Sequence, residues 1–166
     1  MELYHLSAEY FVRKLNNDDI NIIYNVCMGN TLFYRFHPPL ATKESIMEDM
    51  QALPPDKGYD DKFYIGFFKS DKLVALMDFI RDYPEEKVIF IGFFMVDQEY
   101  HGKGVGTRII DECCFYWKSI GYQRVRLGID KGNPQSSAFW RKNNFVKTSE
   151  NRSNKAYDYV LMERAL

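Results

Sequence analysis

Residues 96–106 of the chain read VDQEYHGKGVG and join a run rich in valine, isoleucine and phenylalanine to a stretch with helical periodicity. The run at residues 87–96 predicts a β-strand. In the stretch that follows, apolar residues recur at helical spacing until Gly121, which predicts a helix with a glycine cap. The quoted segment is therefore predicted to be a turn that leads from a buried strand into a helix.

Three glycines give this turn the properties of an anion site. Gly102, Gly104 and Gly106 let the backbone approach a ligand closely, and the helix start adds unpaired amide N–H groups and partial positive charge. Residues 103–109 contain two basic side chains and no acidic one. The turn suits a phosphate or pyrophosphate, although the spacing alone is equally compatible with a plain tight turn.

Two other phosphate-binding loops do not fit the spacing. The dinucleotide fingerprint needs its third glycine at position 107, which is Thr107. A nucleoside-triphosphate loop needs serine or threonine directly after Gly-Lys, but Lys103 is followed by Gly104.

The rest of the chain predicts a mixed α/β protein in which residues 1–166 form one domain. Strands are predicted at residues 10–15, 63–69, 73–81, 87–96, 122–129, 145–147 and 156–163, and helices at residues 17–28, 42–53, 105–120 and 134–142. Residues 33–39 are predicted to be a loop. Short links between the three central strands predict an antiparallel meander.

Composition narrows the function classes. The 166 residues are 46% hydrophobic and 27% charged, with a net charge of −1. No basic cluster with interleaved aromatic residues favours nucleic acid, and no apolar stretch is long enough to cross a bilayer. Without a signal-peptide pattern, we expect a cytoplasmic protein. Its three cysteines, Cys27, Cys113 and Cys114, lack metal-ligand spacing, so buried thiols and no metal are expected.

The glycine turn resembles the acetyl-CoA loop of the Gcn5-related N-acetyltransferase (GNAT) superfamily. The family pattern is Gln/Arg-x-x-Gly-x-Gly/Ala, and the chain has His101-x-x-Gly104-x-Gly106. His101 departs from the usual glutamine or arginine.

A second family element follows in the correct order and spacing. It comprises Asn133, Ser136, the aromatic pair Phe139-Trp140, and Asn144-Phe145. Asn144 replaces the usual glycine, but asparagine tolerates the left-handed backbone that a helix end needs. The resemblance covers residues 72–145.

The resemblance implies a mostly antiparallel mixed sheet of about six to seven strands, with helices on both faces and two central strands that splay apart. It also implies acetyl-CoA as a substrate and acetyl transfer to a primary amine of a small molecule, peptide or protein by direct attack in a ternary complex. The residues expected to bind the cofactor are Phe94, Met95, Val96, His101, Gly102, Lys103, Gly104, Val105, Gly106, Thr107, Asn133, Ser136, Phe139 and Trp140.

The catalytic assignments remain open at the level of sequence. A strand amide at Met95 or Val96 is the candidate oxyanion donor, and the candidate catalytic side chains are Tyr157, Asp130 and Asn133. The alternative for Asn133 is an ordinary turn residue before the next helix.

The usual family acid and base are both missing. Phe90 stands where histone-type members carry a glutamate, and Trp140 stands where a tyrosine usually protonates the thiolate. Tyr157 or Tyr159 are substitute acids, unless no acid is used. A water chain is the default base, with Asp78, Asp97 and Asp130 as alternatives expected to be exposed strand-end or turn carboxylates.

The acceptor amine is not identified by any motif. His37, and the acids Asp56, Asp60 and Asp61, lie in family regions that shape the acceptor pocket, although a solvated acidic loop and a loop histidine without a role are the more common case. Two other functions are alternatives: a non-catalytic acyl-CoA-binding module and a nucleotide-dependent oxidoreductase with a mostly parallel sheet. A homodimer is expected only by analogy with the fold.

Overall fold

A seven-stranded sheet organises the chain, with helices packed on both of its faces. The computed structural model describes the backbone of residues 1–153 and 158–166 and the side chains of residues 1–148 and 158–166. The strands are β1 (Phe11–Lys14), β2 (Lys62–Lys69), β3 (Lys72–Arg81), β4 (Val88–Val96), β5 (Arg124–Asp130), β6 (Val146–Ser153) and β7 (Asp158–Ala165). The helices are α1 (Ile20–Gly29), α2 (Thr31–Tyr34), α3 (Lys43–Gln51), α4 (Val105–Ser119) and α5 (Pro134–Lys142).

The sheet is antiparallel except at one pair of strands. Its order is β1-β2-β3-β4-β5-β7-β6, and β4 and β5 run parallel. This topology confirms the predicted mostly antiparallel mixed sheet with helices on both faces. It does not agree with the mostly parallel sheet that a nucleotide-dependent oxidoreductase would have.

The parallel pair comes apart halfway along β4. Pairing with β5 begins at Val88 and ends at Ile91, opposite Leu127. Beyond that point β4 stays with β3 and β5 stays with β7. Gly92 is a bulge in β4, because Ile91 and Phe93 pair with consecutive β3 residues. A bulge bends a strand and increases its twist. The bend at Gly92 separates β4 from β5, as predicted for the two central strands.

Each face of the sheet has its own apolar core. On one face, α4 buries the residues predicted from its periodicity, including Ile109, Ile110 and Trp117. On the other face, α1 and α3 pack on β2 and β3 through Ile23, Ile46 and their neighbours. The spread of apolar residues over both cores holds the sheet as a rigid central layer.

Some boundaries differ from the predicted ones. The predicted loop at residues 33–39 begins inside α2, a single helical turn. Strand β6 extends to Ser153, well past the predicted residue 147, and its sequence KTSEN has no apolar alternation. Since β6 is an edge strand held by backbone pairing with β7, its length leaves little trace in hydrophobic periodicity. No helix in the described residues is long and apolar enough to cross a membrane.

An ion pair fixes the start of α1 against β1. Asp19 is buried and accepts hydrogen bonds from both terminal nitrogens of Arg13, each at 2.7 Å, and from the backbone N–H of Asn16 at 2.9 Å. The hydrogen bond from Arg13 lowers the pKa of the Asp19 carboxyl. The helix that starts here ends next to the cleft described below, so this pair helps to set the position of its far end.

Replacing Asp19 by asparagine should destabilise the fold by about 1–2 kcal/mol at neutral pH, because a partly buried, charge-assisted pair is lost. The pKa of Asp19 is lowered on folding, so its contribution is present above the ordinary aspartate value of 3.8 and is lost as the pH falls through the folded-state pKa. Urea unfolding at neutral and acidic pH measures the difference. The exposed neighbour substitution Asp18→Asn is the control, and equal losses in both variants would contradict the assignment.

Candidate active site

A cleft of about 1100 Å³ runs from the glycine turn, along the gap between β4 and β5, to a pocket under α1 and α3. The predicted cofactor residues that line it are Phe94, Met95, Val96, His101, Gly102, Gly104, Val105, Gly106, Thr107, Asn133, Ser136, Phe139 and Trp140. Lys103 is the exception and is not part of the cleft wall. Residues from two distant sequence segments therefore meet at one opening in the sheet.

The glycine turn needs its glycines for two different reasons. Gly102 and Gly104 have φ angles of 72° and 77°, in the region that favours glycine, and a Cβ on either would meet no atom within 4 Å. At Gly106 a Cβ would lie 3.1 Å from Phe139 and 3.3 Å from Val96. Gly102 and Gly104 therefore determine the backbone conformation of the turn and leave space beside it. Gly106 allows α4 to pack closely on β4 and α5.

The helix start contributes positive potential at this turn. Gly104 is the N-cap of α4, and the Arg108 N–H donates to its carbonyl at 3.0 Å, so the amides of residues 105–107 precede the first helical hydrogen bond. The Arg108 side chain pairs with Glu9. Lys103 extends over the ring of Tyr100, with 5.9 Å from Nζ to the centroid. At this turn, backbone amides line the cleft, whereas the side chains of Lys103 and Arg108 are directed elsewhere.

The free edge of β4 presents alternate peptide groups to the gap. The Asp97 N–H donates to the Val74 carbonyl at 2.8 Å, so Asp97 faces β3. Orientation alternates along an antiparallel strand, so Met95 also faces β3, whereas Phe94 and Val96 face the gap. Of the two amides predicted as oxyanion donors, Val96 is the one in the right orientation.

Two side chains hold the Val96 carbonyl. The Asn30 amide nitrogen donates to it at 3.2 Å and also donates to the Val26 carbonyl at 2.8 Å. His101 Nε2 lies 2.9 Å from the same oxygen. His101, the departure from the family pattern, thus stabilises the end of β4 with its side chain.

Sequence analysis did not identify Asn30 as a site residue. It is a buried residue at the C-cap of α1, and an asparagine at that position looks like an ordinary helix stop. The contact between Asn30 and Val96 becomes apparent only in the fold, where the end of α1 lies next to β4.

The second motif shapes the other wall of the cleft. Asn133 is 4% exposed and caps α5, where its side-chain oxygen accepts from the Ser136 N–H at 3.0 Å. It is therefore the turn residue that sequence analysis allowed, and it also lines the cleft. Its amide nitrogen has no hydrogen-bond partner among the described residues. That nitrogen is available to a ligand.

The aromatic pair forms a packed layer below the cleft. Phe94 lies 6.0 Å from the rings of both Phe139 and Trp140, and Trp140 contacts Phe145 at 4.9 Å. Asn144 has a φ angle of 65°, which is the left-handed conformation expected at this helix end. Trp140 is a core residue, so the hydroxyl that a tyrosine would supply here is absent from this position.

Asp130 and His37 meet on the side of the gap that faces α2. Asp130 ends β5, and its Oδ1 lies 3.0 Å from His37 Nδ1. The ring of His37 packs on Phe33, which in turn contacts Phe93 on β4 with 5.6 Å between centroids. The predicted catalytic candidate Asp130 thus contacts His37. From the sequence, His37 was related to the acceptor pocket only because it lies in the corresponding region of the family.

The other acid and base candidates do not all lie at the same place in the structure. Tyr157 lies outside the described residues, whereas Tyr159 lines the cleft, and its ring lies next to Gly128. Asp97 caps a short 3₁₀ turn by accepting from the Glu99 N–H at 2.8 Å. The expectation that Asp78 is an exposed strand-end carboxylate is wrong, because β3 continues to Arg81 and places Asp78 in the cleft.

The predicted acidic segment at residues 56–61 is not part of the cleft wall. Asp61 pairs instead with Arg81, with 3.0 Å between Oδ1 and Nε. The acids that do line the acceptor side are Asp49, Asp78 and Asp130.

Substituting valine for Gly106 should lower the affinity for coenzyme A by at least ~10-fold, because the new side chain would displace Phe139 or Val96 and shift the amides at the start of α4. Titration calorimetry measures the affinity, and circular dichroism checks the fold. Gly58→Val is the matched control, since a Cβ there meets nothing within 4 Å. Unchanged affinity in folded Gly106→Val would show that the diphosphate does not bind at this turn.

Comparisons with known proteins agree with this geometry. The profile described as "Acetyltransferase (GNAT) family" matches residues 30–145. The ribosomal-protein-serine acetyltransferase of Escherichia coli (strain K12) is 28% identical over 93 residues, which are 54% of this chain and 49% of the relative. The chain thus spans about half the length of that curated relative.

Solved structures share the fold over nearly the whole chain. An acetyltransferase from Thermus thermophilus superposes with a TM-score of 0.76 at 18% identity, covering 98% of this chain and 99% of that one. The PaiA N-acetyltransferase from Thermoplasma acidophilum, in complex with coenzyme A, has a TM-score of 0.68 at 17% identity, covering 94% and 98%. Since the family profile extends over more than half of its residues, the chain belongs to the acetyltransferase (GNAT) family.

Proposed function

We propose that the protein transfers an acetyl group from acetyl-CoA to a primary amine by direct attack in a ternary complex. One observation carries the proposal: the helix-start amides of the glycine turn and the unpaired edge of β4 open onto the same cleft. The first suits a diphosphate, and the second supplies an oriented amide for a thioester. Membership of the family supports acetyl-CoA as the donor.

The cofactor would bind through backbone groups for most of its length. Its pyrophosphate would accept hydrogen bonds from the amides of residues 102–107. The pantetheine arm would lie along the free edge of β4 in the gap, because this edge is not hydrogen-bonded to β5. The amide nitrogen of Asn133 is placed to donate to the same arm from the opposite wall.

The transfer itself needs one new bond and one broken bond. The neutral amine attacks the thioester carbon, and the resulting oxyanion accepts a hydrogen bond from the Val96 N–H. Collapse of this intermediate breaks the C–S bond and releases the coenzyme A thiolate, while the amine nitrogen gives up a proton. No side chain becomes covalently attached to the acetyl group.

The proton leaves the amine on the side where His37 and Asp130 meet. A carboxylate that accepts from Nδ1–H orients an imidazole and stabilises its protonated form. In this assignment Asp130 acts through His37 rather than as a direct base. Water relays the proton where the amine does not contact the ring. Tyr159, one of the two substitute acids predicted from the sequence, lies on the cleft wall and is the candidate that returns a proton to the thiolate.

A non-catalytic acyl-CoA-binding module is the alternative function. The absence of a tyrosine at Trp140 favours it. The names of the relatives, which are acetyltransferases, favour catalysis. Release of free thiol from acetyl-CoA separates the two functions.

Release of coenzyme A thiol from acetyl-CoA should depend on added amine, with initial-rate lines that intersect as the two substrates are varied. Direct attack also predicts no burst of thiol release in the absence of amine. A thiol-reactive dye and a panel of primary amines provide the measurement. Tight acetyl-CoA binding without turnover on any amine would favour the non-catalytic module, and an amine-independent burst would indicate an acetyl-enzyme instead.

The substitution His37→Gln should lower kcat by about 100-fold or more, since it removes a positioned proton acceptor. Acetyl-CoA affinity should stay unchanged, because the ring lies on the acceptor side of the gap. His5→Gln is the control: this histidine contacts Tyr116, away from the cleft. If kcat is the same in His37→Gln and wild type, water serves as the base without the histidine.

A further inference from the structure

We propose that the acceptor is an aliphatic diamine, with one amino group at the thioester and the other bound as an ammonium by the carboxylate of Asp49. This inference rests on the proposed acetyl transfer and specifies its substrate class. The site is the part of the cleft enclosed by α1, α3 and the sheet. Its polar lining includes Asp49, Lys62, Tyr64 and Asp78.

The charges in this pocket do not cancel. Lys62 is 5% exposed at its side chain and binds Asp78 Oδ2 at 2.7 Å. Asp49, on the facing helix α3, has no hydrogen bond or ion pair with any described residue. One cation and two carboxylates therefore share the pocket, and Asp49 is the one without a counter-ion. A cationic ligand would restore the balance.

Two further groups point to a ligand at this place. Tyr64 is 7% exposed and lines the cleft, yet its hydroxyl has no hydrogen-bond partner among the described residues. The second oxygen of Asp78, Oδ1, is buried and also lacks a partner there. Buried polar groups in proteins are nearly always hydrogen-bonded. An ammonium group has three N–H donors and can form hydrogen bonds with acceptors such as a hydroxyl or carboxylate oxygen, whereas a hydrocarbon group cannot.

The environment of Asp49 strengthens its attraction for a cation. Asp49 is an exposed residue on the cleft wall, and partial desolvation by the surrounding protein raises the pKa of its carboxyl, against the opposing effects of Lys62 and His37. A charge in such surroundings interacts more strongly with an opposite charge than it does in open water. A bound ammonium would favour the ionised form of Asp49.

The passage from Asp49 to the gap is aromatic. Phe33, Tyr34 and Phe93 line it, and the rings of Phe33 and Phe93 meet edge to face. A chain of methylene groups can lie against these rings without losing hydrogen bonds, whereas a peptide backbone would bring polar groups into an apolar passage. The Tyr34 ring adds a surface that attracts ammonium groups. These features favour a free diamine over a peptide.

A matched pair of substrates tests the proposal on the intact chain. Wild type should acetylate diaminobutane with a kcat/KM at least ~10-fold above that for butylamine, a ratio equivalent to about 1.4 kcal/mol. In Asp49→Asn this ratio should fall to near one, mainly through KM for the diamine. Glu48→Gln, on the exposed neighbour of Asp49, removes the same charge outside the cleft and should keep the wild-type ratio.

A binding measurement makes the test independent of turnover. Calorimetric titration of diaminobutane into the protein saturated with coenzyme A should give binding in wild type and Glu48→Gln. In Asp49→Asn the binding should be weaker by at least ~10-fold.

Three results would overturn the diamine proposal: equal kcat/KM for the two amines, a ratio that survives Asp49→Asn, or a lysine peptide that is used better than either amine. In each of these cases acetyl transfer itself stands. Absence of turnover with every amine, despite acetyl-CoA binding, would remove the proposed function as well.

Discussion

The separation of β4 from β5 is the constraint on which the other features of the site depend. A parallel sheet normally pairs every backbone group between neighbouring strands. Here the bulge at Gly92 ends that pairing after Ile91, so Phe94 and Val96 keep their peptide groups directed into an open gap. A bulge can be tolerated at this point because β3 and β7 continue to hold the two strands from outside. The sheet therefore keeps two strand edges that are not paired with each other, and on one of them the Val96 carbonyl accepts from Asn30 and His101.

Around this gap, the protein assigns its two faces to different tasks. The face with α4 and α5 presents backbone amides and aromatic packing, which suit a long ligand held by shape and by a diphosphate. The face with α1, α2 and α3 presents ionisable side chains: His37, Asp49, Asp78 and Asp130. This division agrees with a reaction in which one substrate only needs to be positioned while the other must lose a proton. The ionisable residues of the cleft are thus concentrated on one face of a chain whose net charge is only −1.

The sequence was informative where function depends on local backbone geometry. The turn could be predicted because the φ angles at Gly102 and Gly104 require glycine, and the end of α5 because Asn144 adopts a left-handed conformation. The acceptor side could not, since His37 and Asp130 are separated by 93 positions and meet only through the packing of α2 against the sheet. The sequence indicated the acids at residues 56–61, whereas nothing in it distinguished Asp49, which the fold places on the cleft wall. Tyr157 remains a prediction, as it lies outside the described residues.

The single carbonyl of Val96 is shared by two donors, and this has a consequence for redesign. Asn30 approaches it from the end of a helix on one face, and His101 approaches it from the turn that leads to the other face. The end of α1, on the proposed amine side, and the glycine turn, on the proposed cofactor side, therefore both form a hydrogen bond with the Val96 carbonyl. Laboratory evolution can remodel the amine pocket through the side chains of α3 outside the apolar core, but an insertion that moves the end of α1 would also disturb the edge of β4 at Val96. Broadened specificity should therefore be sought in point changes rather than in loop grafts.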